Sequence, residues 1–291
     1  MQGVYRGRFA PSPTGPLHFG SLVTAVASYM EARSQKGQWL VRIEDVDTTR
    51  TEPGAADQIL RTLESYGFEW DGPVLFQTTR LDAYEQALDQ LRQSGFAFPC
   101  ACSRQQVGDV YPGTCRNGLP PGRQARSMRM RVTQNPIQFQ DQLQGHQTEQ
   151  LEHTSGDFII KRADGLFAYQ LAVVVDDQWH EITNVVRGSD LLSSTFRQLL
   201  LQRALNFSHP TYMHLPVAID NYGDKLSKQT KASPLPLDQN QIPATLAKAF
   251  KFLGHTPSES FPDVRSAWHW ITKAWSPANL PAVRERSLPH A

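Results

Sequence analysis

Short apolar stretches, proline–glycine turns and longer stretches with apolar side chains at helical spacing follow one another through about the first hundred residues. Residues 4–9 read as a short strand that runs into a turn at 11–16. A helix is predicted over 17–34, with Gly37 just past its end. Trp39-Leu-Val-Arg-Ile-Glu44 reads as a second, buried strand. Pro53 suits the start of the next helix, which extends to about residue 66 before Gly67. Residues 81–94 form a further amphipathic helix, stopped by Gly95. Strand, glycine turn, helix, strand, helix is the order of a parallel α/β sheet.

The order breaks at Pro99. Residues 100–155 are rich in Gln, Gly, Pro and Arg and poor in apolar runs, which suggests an inserted module. Regular structure is expected to resume at 158–161 and at 167–177, where Leu171-Ala-Val-Val-Val175 has the composition of a fully buried strand. Residues 193–206 read as a helix with a leucine-rich face, 214–219 as a strand, and 220–236 as a polar loop. Two short helices, at 243–253 and 262–275, complete the chain, and no internal repeat is present. The expected division is a catalytic first half at 1–98, the insert at 99–157, a catalytic second half at 158–230 and a short helical region at 231–291.

Composition narrows the classes. The 291 residues suffice for one large domain with small modules, and 40% apolar with 20% charged residues is an ordinary globular balance. Lys and Arg number 29 against 28 Asp and Glu, a net charge of +1, so any RNA contact must come from a local basic surface. No apolar run approaches the roughly 20 residues of a membrane span, and the first residues lack a signal-peptide core. A cytosolic protein is expected. In a reducing compartment, three cysteines between Cys100 and Cys115 point to a metal site or free thiols rather than a disulfide.

Candidate chemistry begins at Pro13-Thr-Gly-Pro-Leu-His18-Phe-Gly20, where the first strand meets the first helix. Gly15 and Gly20 permit close backbone or ligand approach, and the helix N-terminus offers unpaired N–H groups to an anion. His18 is either a phosphate donor or simply a helix cap. Much later comes Lys225-Leu-Ser-Lys228, two lysines flanking a serine in an expected loop, suited to polyphosphate though by itself also an ordinary solvated loop. As a pair, His18-Phe-Gly-Ser21 and Lys225-Leu-Ser-Lys-Gln229 resemble the HIGH and KMSKS signatures of the class I aminoacyl-tRNA synthetases in order and separation. The departures are Phe19, Ser21, Leu226 and Gln229.

The flanks Arg8-Phe-Ala-Pro-Ser-Pro-Thr-Gly15, Arg42-Ile-Glu-Asp-Val-Asp-Thr-Thr-Arg50, Tyr169-Gln-Leu-Ala-Val-Val-Val-Asp-Asp177 and Arg187-Gly-Ser-Asp190 resemble the glutamyl branch of that family. The resemblance covers about residues 3–230 and implies an α/β, Rossmann-type class I synthetase catalytic domain with ATP and L-glutamate as substrates. By this resemblance His18, Lys225 and Lys228 are catalytic, and Gly15, His18, Gly20 and Lys228 bind ATP. Arg8, Phe9, Ala10, Pro11, Ser12, Glu44, Tyr169 and Arg187 line the glutamate site. The chemistry agrees, since guanidinium forks suit carboxylates and Glu44 suits the ammonium. Val173 and Leu191 stand where the family has asparagine and tryptophan, which implies weaker glutamate binding. Glu44, Asp45 and Asp47 also suggest a metal site, but Mg²⁺ is expected to arrive with ATP.

Cys100-Ala-Cys102 and Tyr111-Pro-Gly-Thr-Cys115 offer three thiolates, one short of the four ligands of a structural zinc. The resemblance here sharpens to a subgroup that attaches glutamate to the queuosine base at the wobble position of tRNA(Asp). It implies one structural Zn²⁺ per chain, with Tyr111 as fourth ligand, an insert that carries the zinc, and a small C-terminal helical region. The chain continues for only 62 residues after Gln229, so no anticodon-reading domain is expected, and the anticodon arm of tRNA(Asp) would occupy the catalytic cleft of a monomer. The alternatives are a minimal glutamyl-tRNA synthetase charging a 3′ end, a non-catalytic tRNA-binding paralogue and an unrelated nucleotidyltransferase.

Overall fold

The computed structural model describes residues 4–220 and 233–288. Strands β1 (Arg6–Phe9), β2 (Gln38–Ile43) and β3 (Leu75–Phe76) pair in parallel in that order. Helix α1 (Phe19–Ser34) connects the first two strands and α2 (Ala55–Ser65) the next two. α3 (Leu81–Gln93) leads out to β4 (Ala97–Cys100), which pairs with β5 (Ser127–Met130) in a small antiparallel sheet. The hairpin of β6 (Ile137–Asp141) and β7 (Gly145–Glu149) and the single turn α4 (Leu151–Thr154) come next, and β8 (Phe158–Lys161) then closes that small sheet beside β5.

The chain returns through α5 (Tyr169–Trp179) to β9 (Asn184–Gly188), α6 (Leu192–Leu205) and β10 (Thr211–Leu215). β9 lies beside β1, where the Thr183 N–H donates to the Arg6 carbonyl at 3.0 Å. β10 pairs in parallel with β9 on one side and with β6 on the other. The resulting order, β3-β2-β1-β9-β10, turns in opposite directions from β1, and this is the doubly wound arrangement of a Rossmann-type sheet. β11 (Val217–Ile219), α7 (Ile242–Phe252), α8 (Val264–Ala274) and β12 (Glu285–Ser287) complete the described chain, with β12 parallel to β11.

Two cores flank the sheet. α1 is apolar almost all round because it is enclosed by the strands and α7, with Leu22, Val23, Val26 and Met30 buried. Leu246, Phe250, Phe252 and Ile271 bring α7 and α8 into this same core. α3, α5 and α6 build the second core.

Two sequence expectations are corrected. The run Leu171–Val175, expected as a strand, lies within helix α5. Every residue from Leu171 to Asp177 is buried, so burial on all sides removes the periodicity that marks a helix, and packing against α3 and α6 overrides the β preference of three valines. The expected strand at 214–219 is two strands, divided at Pro216, which has no N–H to continue the ladder. β10 pairs with β9, whereas β11 pairs with β12.

Candidate active site

A cavity of about 490 Å³ opens where β1, β2 and β9 end. It lies at the divergence of the sheet between β1 and β9, the place where open α/β sheets bind ligands. Arg8, Phe9, Ala10, Pro11 and Ser12 line it from the end of β1, Glu44 from the end of β2, Tyr169 from the start of α5 and Arg187 from β9. His18 and Gly20 line it from the N-terminus of α1; Gly15 does not line it and sits in the preceding turn with φ +138°, a conformation that favours glycine. Lys225 and Lys228 lie outside the described residues.

A buried charge lattice underlies the cavity. Arg42, fully buried, reaches Asp177 through Nη1 at 2.8 Å and Glu44 through Nη2 at 3.1 Å. Arg8 Nε meets the same Asp177 oxygen at 3.2 Å. Two arginines thus face two carboxylates, which offsets the desolvation that any of these charges would suffer alone. Burial raises the Glu44 pKa against the pull of Arg42 and Arg8, a tendency that an incoming ammonium group would counter. Burial also opposes ionisation of Asp177, but Arg8 and Arg42 outweigh it and hold that carboxyl low.

Arg187 differs. Its side chain is 4% exposed, yet among the described residues no acidic side chain lies within ion-pair distance. Its Nε donates to His214 Nε2 at 3.1 Å and its Nη2 to Thr195 Oγ1 at 2.8 Å and the Leu191 carbonyl at 3.3 Å. Nη1 makes one long contact, 3.5 Å to the Tyr169 hydroxyl. A cation so enclosed, beside a cavity, is suited to an anionic ligand. Of the family's altered positions, Leu191 also lines the cavity, whereas Val173 is packed within the second core.

His18 is the N-cap of α1, and its Nδ1 accepts the Ser21 N–H at 3.3 Å. That bond leaves Nε2 to carry the proton of a neutral ring, and burial lowers the His18 pKa against the opposing charge of Asp190. Gly20 makes room for the cap, because a Cβ there would stand 3.1 Å from the imidazole. The helix end thus presents a donor and a partial positive charge to the cavity.

The acidic group after β2 is not a metal cage. Asp45 holds the Thr78 N–H and hydroxyl at 2.9 and 2.6 Å. Asp47 accepts from Thr49, Arg50 and Arg162, and these partners, the Thr49 hydroxyl foremost, hold its carboxyl down at about 2. Among the described residues, the metal-ready cluster is Cys100, Cys102 and Cys115, whose sulfurs all lie within 4.8 Å of one another. Cys102 and Cys115 Sγ are 3.7 Å apart, and the Tyr111 hydroxyl is 3.5 Å from Cys100 Sγ. A tetrahedral zinc with ordinary Zn–S and Zn–O bonds spaces its ligands about 3.8 Å (S to S) and about 3.5 Å (S to O). The set therefore fits zinc. Arg129 Nε and the Ala101 N–H donate to Cys100 and Cys115 at 3.3 and 3.4 Å, as donors around metal-bound thiolates do. Burial raises the Cys100 thiol, but hydrogen bonds from Tyr111, the Cys102 backbone and Arg129 bring it down to about 7; burial pushes Tyr111 up.

Sequence reasoning singled out neither Arg42 nor Asp177 as site residues, although both stand inside the motifs that were quoted. It also passed over Thr195 and His214, which hold Arg187 from behind, and Asp141, which holds His214.

Comparison with known proteins agrees with this geometry. The model of the class I tRNA synthetase (E and Q) catalytic domain matches residues 5–111 and 114–260. Proteins named glutamyl-Q tRNA(Asp) synthetase from Dechloromonas aromatica, Aromatoleum aromaticum and Geobacter sulfurreducens are 56%, 50% and 50% identical. The alignments cover 99%, 99% and 95% of this chain and 98%, 94% and 94% of those proteins. The solved glutamate-tRNA synthetase of Elizabethkingia anophelis shares the fold, with a TM-score of 0.83 at 22% identity, covering 99% of this chain and 68% of that one. No helix among the described residues is long and apolar enough to cross a membrane. With its fold, its cavity and its near full-length relatives in agreement, the chain belongs to the class I tRNA synthetases of the E and Q type, within the group of glutamyl-Q tRNA(Asp) synthetases.

Proposed function

We infer that this chain activates L-glutamate with ATP and transfers it to the queuosine base at the wobble position of tRNA(Asp). The observation that carries the amino-acid half is Arg187, a buried guanidinium beside the cavity with no acidic side chain against it among the described residues. Glutamate's side-chain carboxylate supplies the missing charge there, beside the Tyr169 hydroxyl. Glu44 receives the ammonium group. Arg8, fixed through Nε to Asp177, keeps the remainder of its guanidinium for the second carboxylate.

The α-carboxylate then attacks the α-phosphorus of ATP, the bond to the bridging oxygen breaks, and glutamyl-adenylate forms as pyrophosphate leaves. The N-terminus of α1 and the His18 Nε2–H stabilise charge on the phosphates, with Lys225 and Lys228 assigned to the same task from their motif. Mg²⁺ bound to the incoming ATP would neutralise part of the phosphate charge. A hydroxyl of queuosine's cyclopentenediol next attacks the activated carbonyl, releasing AMP and a proton and leaving an ester. Holding the two reactants in one cleft supplies much of this second step. The partner in it is the anticodon arm of tRNA(Asp), bound by a monomer in the cytosol. ATP–pyrophosphate exchange should depend on glutamate and proceed without any tRNA, because the amino-acid and phosphate groups lie together on this chain. An absolute requirement for tRNA would overturn that expectation.

The zinc assignment is part of the same reading: Cys100, Cys102, Cys115 and Tyr111 hold one structural Zn²⁺ that braces the turns between β4 and β5. Protein purified without chelator should contain about one zinc per chain, and Cys100→Ser should lose it while the parallel sheet stays folded. Metal analysis with circular dichroism reads both, and a metal-free protein with three titratable thiols would reject the site.

A further inference from the structure

We propose that Asp141 and His214 are positioning residues for glutamate: together they set which ring nitrogen of His214 carries the proton, and so hold the Arg187 guanidinium in its binding orientation. Both side chains are wholly inaccessible to solvent. Asp141 Oδ2 lies 2.6 Å from His214 Nδ1. Asp141 Oδ1 accepts the N–H groups of Leu143, Gln144 and His214 at 3.0, 2.8 and 3.2 Å. Three N–H donors on Oδ1 favour the ionised carboxyl, and Arg187 Nε, which can only donate, requires Nε2 to accept, so the one proton of a neutral ring sits on Nδ1 facing Oδ2. Nε2 is then bare, and two donors converge on it: Arg187 Nε–H at 3.1 Å and the Thr195 hydroxyl at 3.2 Å. The arginine Nε has no lone pair and can only donate, so this contact exists only with that tautomer.

The circuit closes through Thr195 Oγ1, which accepts from Arg187 Nη2 at 2.8 Å. His214, Thr195 and the Leu191 carbonyl thus occupy the Nε and Nη2 edge of the guanidinium, and Nη1 is left toward Tyr169. Burial and the Arg187 charge keep the His214 imidazole neutral against the pull of Asp141. Asp141 reaches this point from the end of β6, 73 positions before its partner, because β6 pairs with β10 and the Gln144 amide holds the His214 carbonyl at 2.8 Å. A hairpin remote from the sequence motifs therefore sets the geometry of the glutamate site.

The inference rests on Arg187 taking a glutamate carboxylate, and the test separates the two. Asp141→Asn keeps size and the backbone acceptor, but its amide faces Nδ1 with hydrogens. The ring must then accept there and carry its proton on Nε2, opposite Arg187 Nε–H, so two donors meet. In glutamate-dependent ATP–pyrophosphate exchange, the glutamate KM should rise about tenfold or more while the ATP KM stays within about twofold. Asp141→Asn/His214→Gln, which returns a carbonyl acceptor to the Nε2 position, should bring the glutamate KM most of the way back. If Asp141→Asn does not fold, His214→Asn keeps a donor to Asp141, removes the acceptor facing Arg187, and should show the same split. An unchanged glutamate KM in a variant, with Arg187→Ala impaired, overturns the positioning role. So does a rise in both KM values in step with a falling Tm. An Arg187→Ala protein with normal glutamate kinetics removes the reading beneath it as well.

Discussion

Arg187→Ala should lower kcat/KM for glutamate activation by roughly a hundredfold to several thousandfold, equivalent to about 3–5 kcal/mol of transition-state binding. The size follows from the setting, since a ligand carboxylate in a largely enclosed cavity would be left without its partner. The fold should tolerate the change, because among the described residues no acidic side chain depends on Arg187 for its neutralisation. Arg42 provides the contrast: removing it leaves Asp177 and Glu44 buried with Arg8 as their remaining cation. Arg42→Ala is therefore expected to lose stability along with activity, whereas Arg187→Ala loses activity. Exchange kinetics beside a thermal melt distinguish the two patterns. A loss of less than about tenfold, or 1.4 kcal/mol, in the Arg187 variant would reject the assignment.

The residues that carried the resemblance share a position in the fold. Arg8, Phe9, Ala10, Pro11, Ser12, Glu44 and Arg187 stand at the ends of three neighbouring strands, so spacing read along the chain translates into one cavity. The β1 turn and α1 were legible for a local reason, since proline, glycine and a capping His18 act within a few residues. α5 was not, because valines buried on every side lose both the helical period and the helix preference that would identify them. The alternation Ile137-Gln-Phe-Gln-Asp141 is a strand signal, passed over inside a stretch that reads as irregular. Asp141 and His214 lay beyond local inference. Their meeting depends on the parallel pairing of β6 with β10, which no periodicity of either segment specifies.

Queuosine-free tRNA(Asp) should accept no glutamate, whereas queuosine-containing tRNA(Asp) lacking its 3′-terminal adenosine should be charged as fully as the intact molecule. A net charge of +1 gives little non-specific phosphate attraction, so selection of one RNA must come from base contacts close to the chemistry. Leu246, Phe250, Phe252 and Ile271 commit the apolar faces of α7 and α8 to the core around α1. An anticodon loop placed in the cleft solves selection and catalysis together. Its splayed bases offer stacking faces and hydrogen-bonding edges, and the modified base brings its own nucleophile to the activated carbonyl. The 3′ end has no part in this scheme, since neither hydroxyl of the terminal ribose attacks. Labelled glutamate, the unmodified transcript and the trimmed, modified tRNA suffice for the measurement. Charging of the unmodified transcript but not the trimmed tRNA would make this chain a short glutamyl-tRNA synthetase acting on a 3′ end. Charging of the trimmed, modified tRNA alone places the ester on the diol of the wobble base.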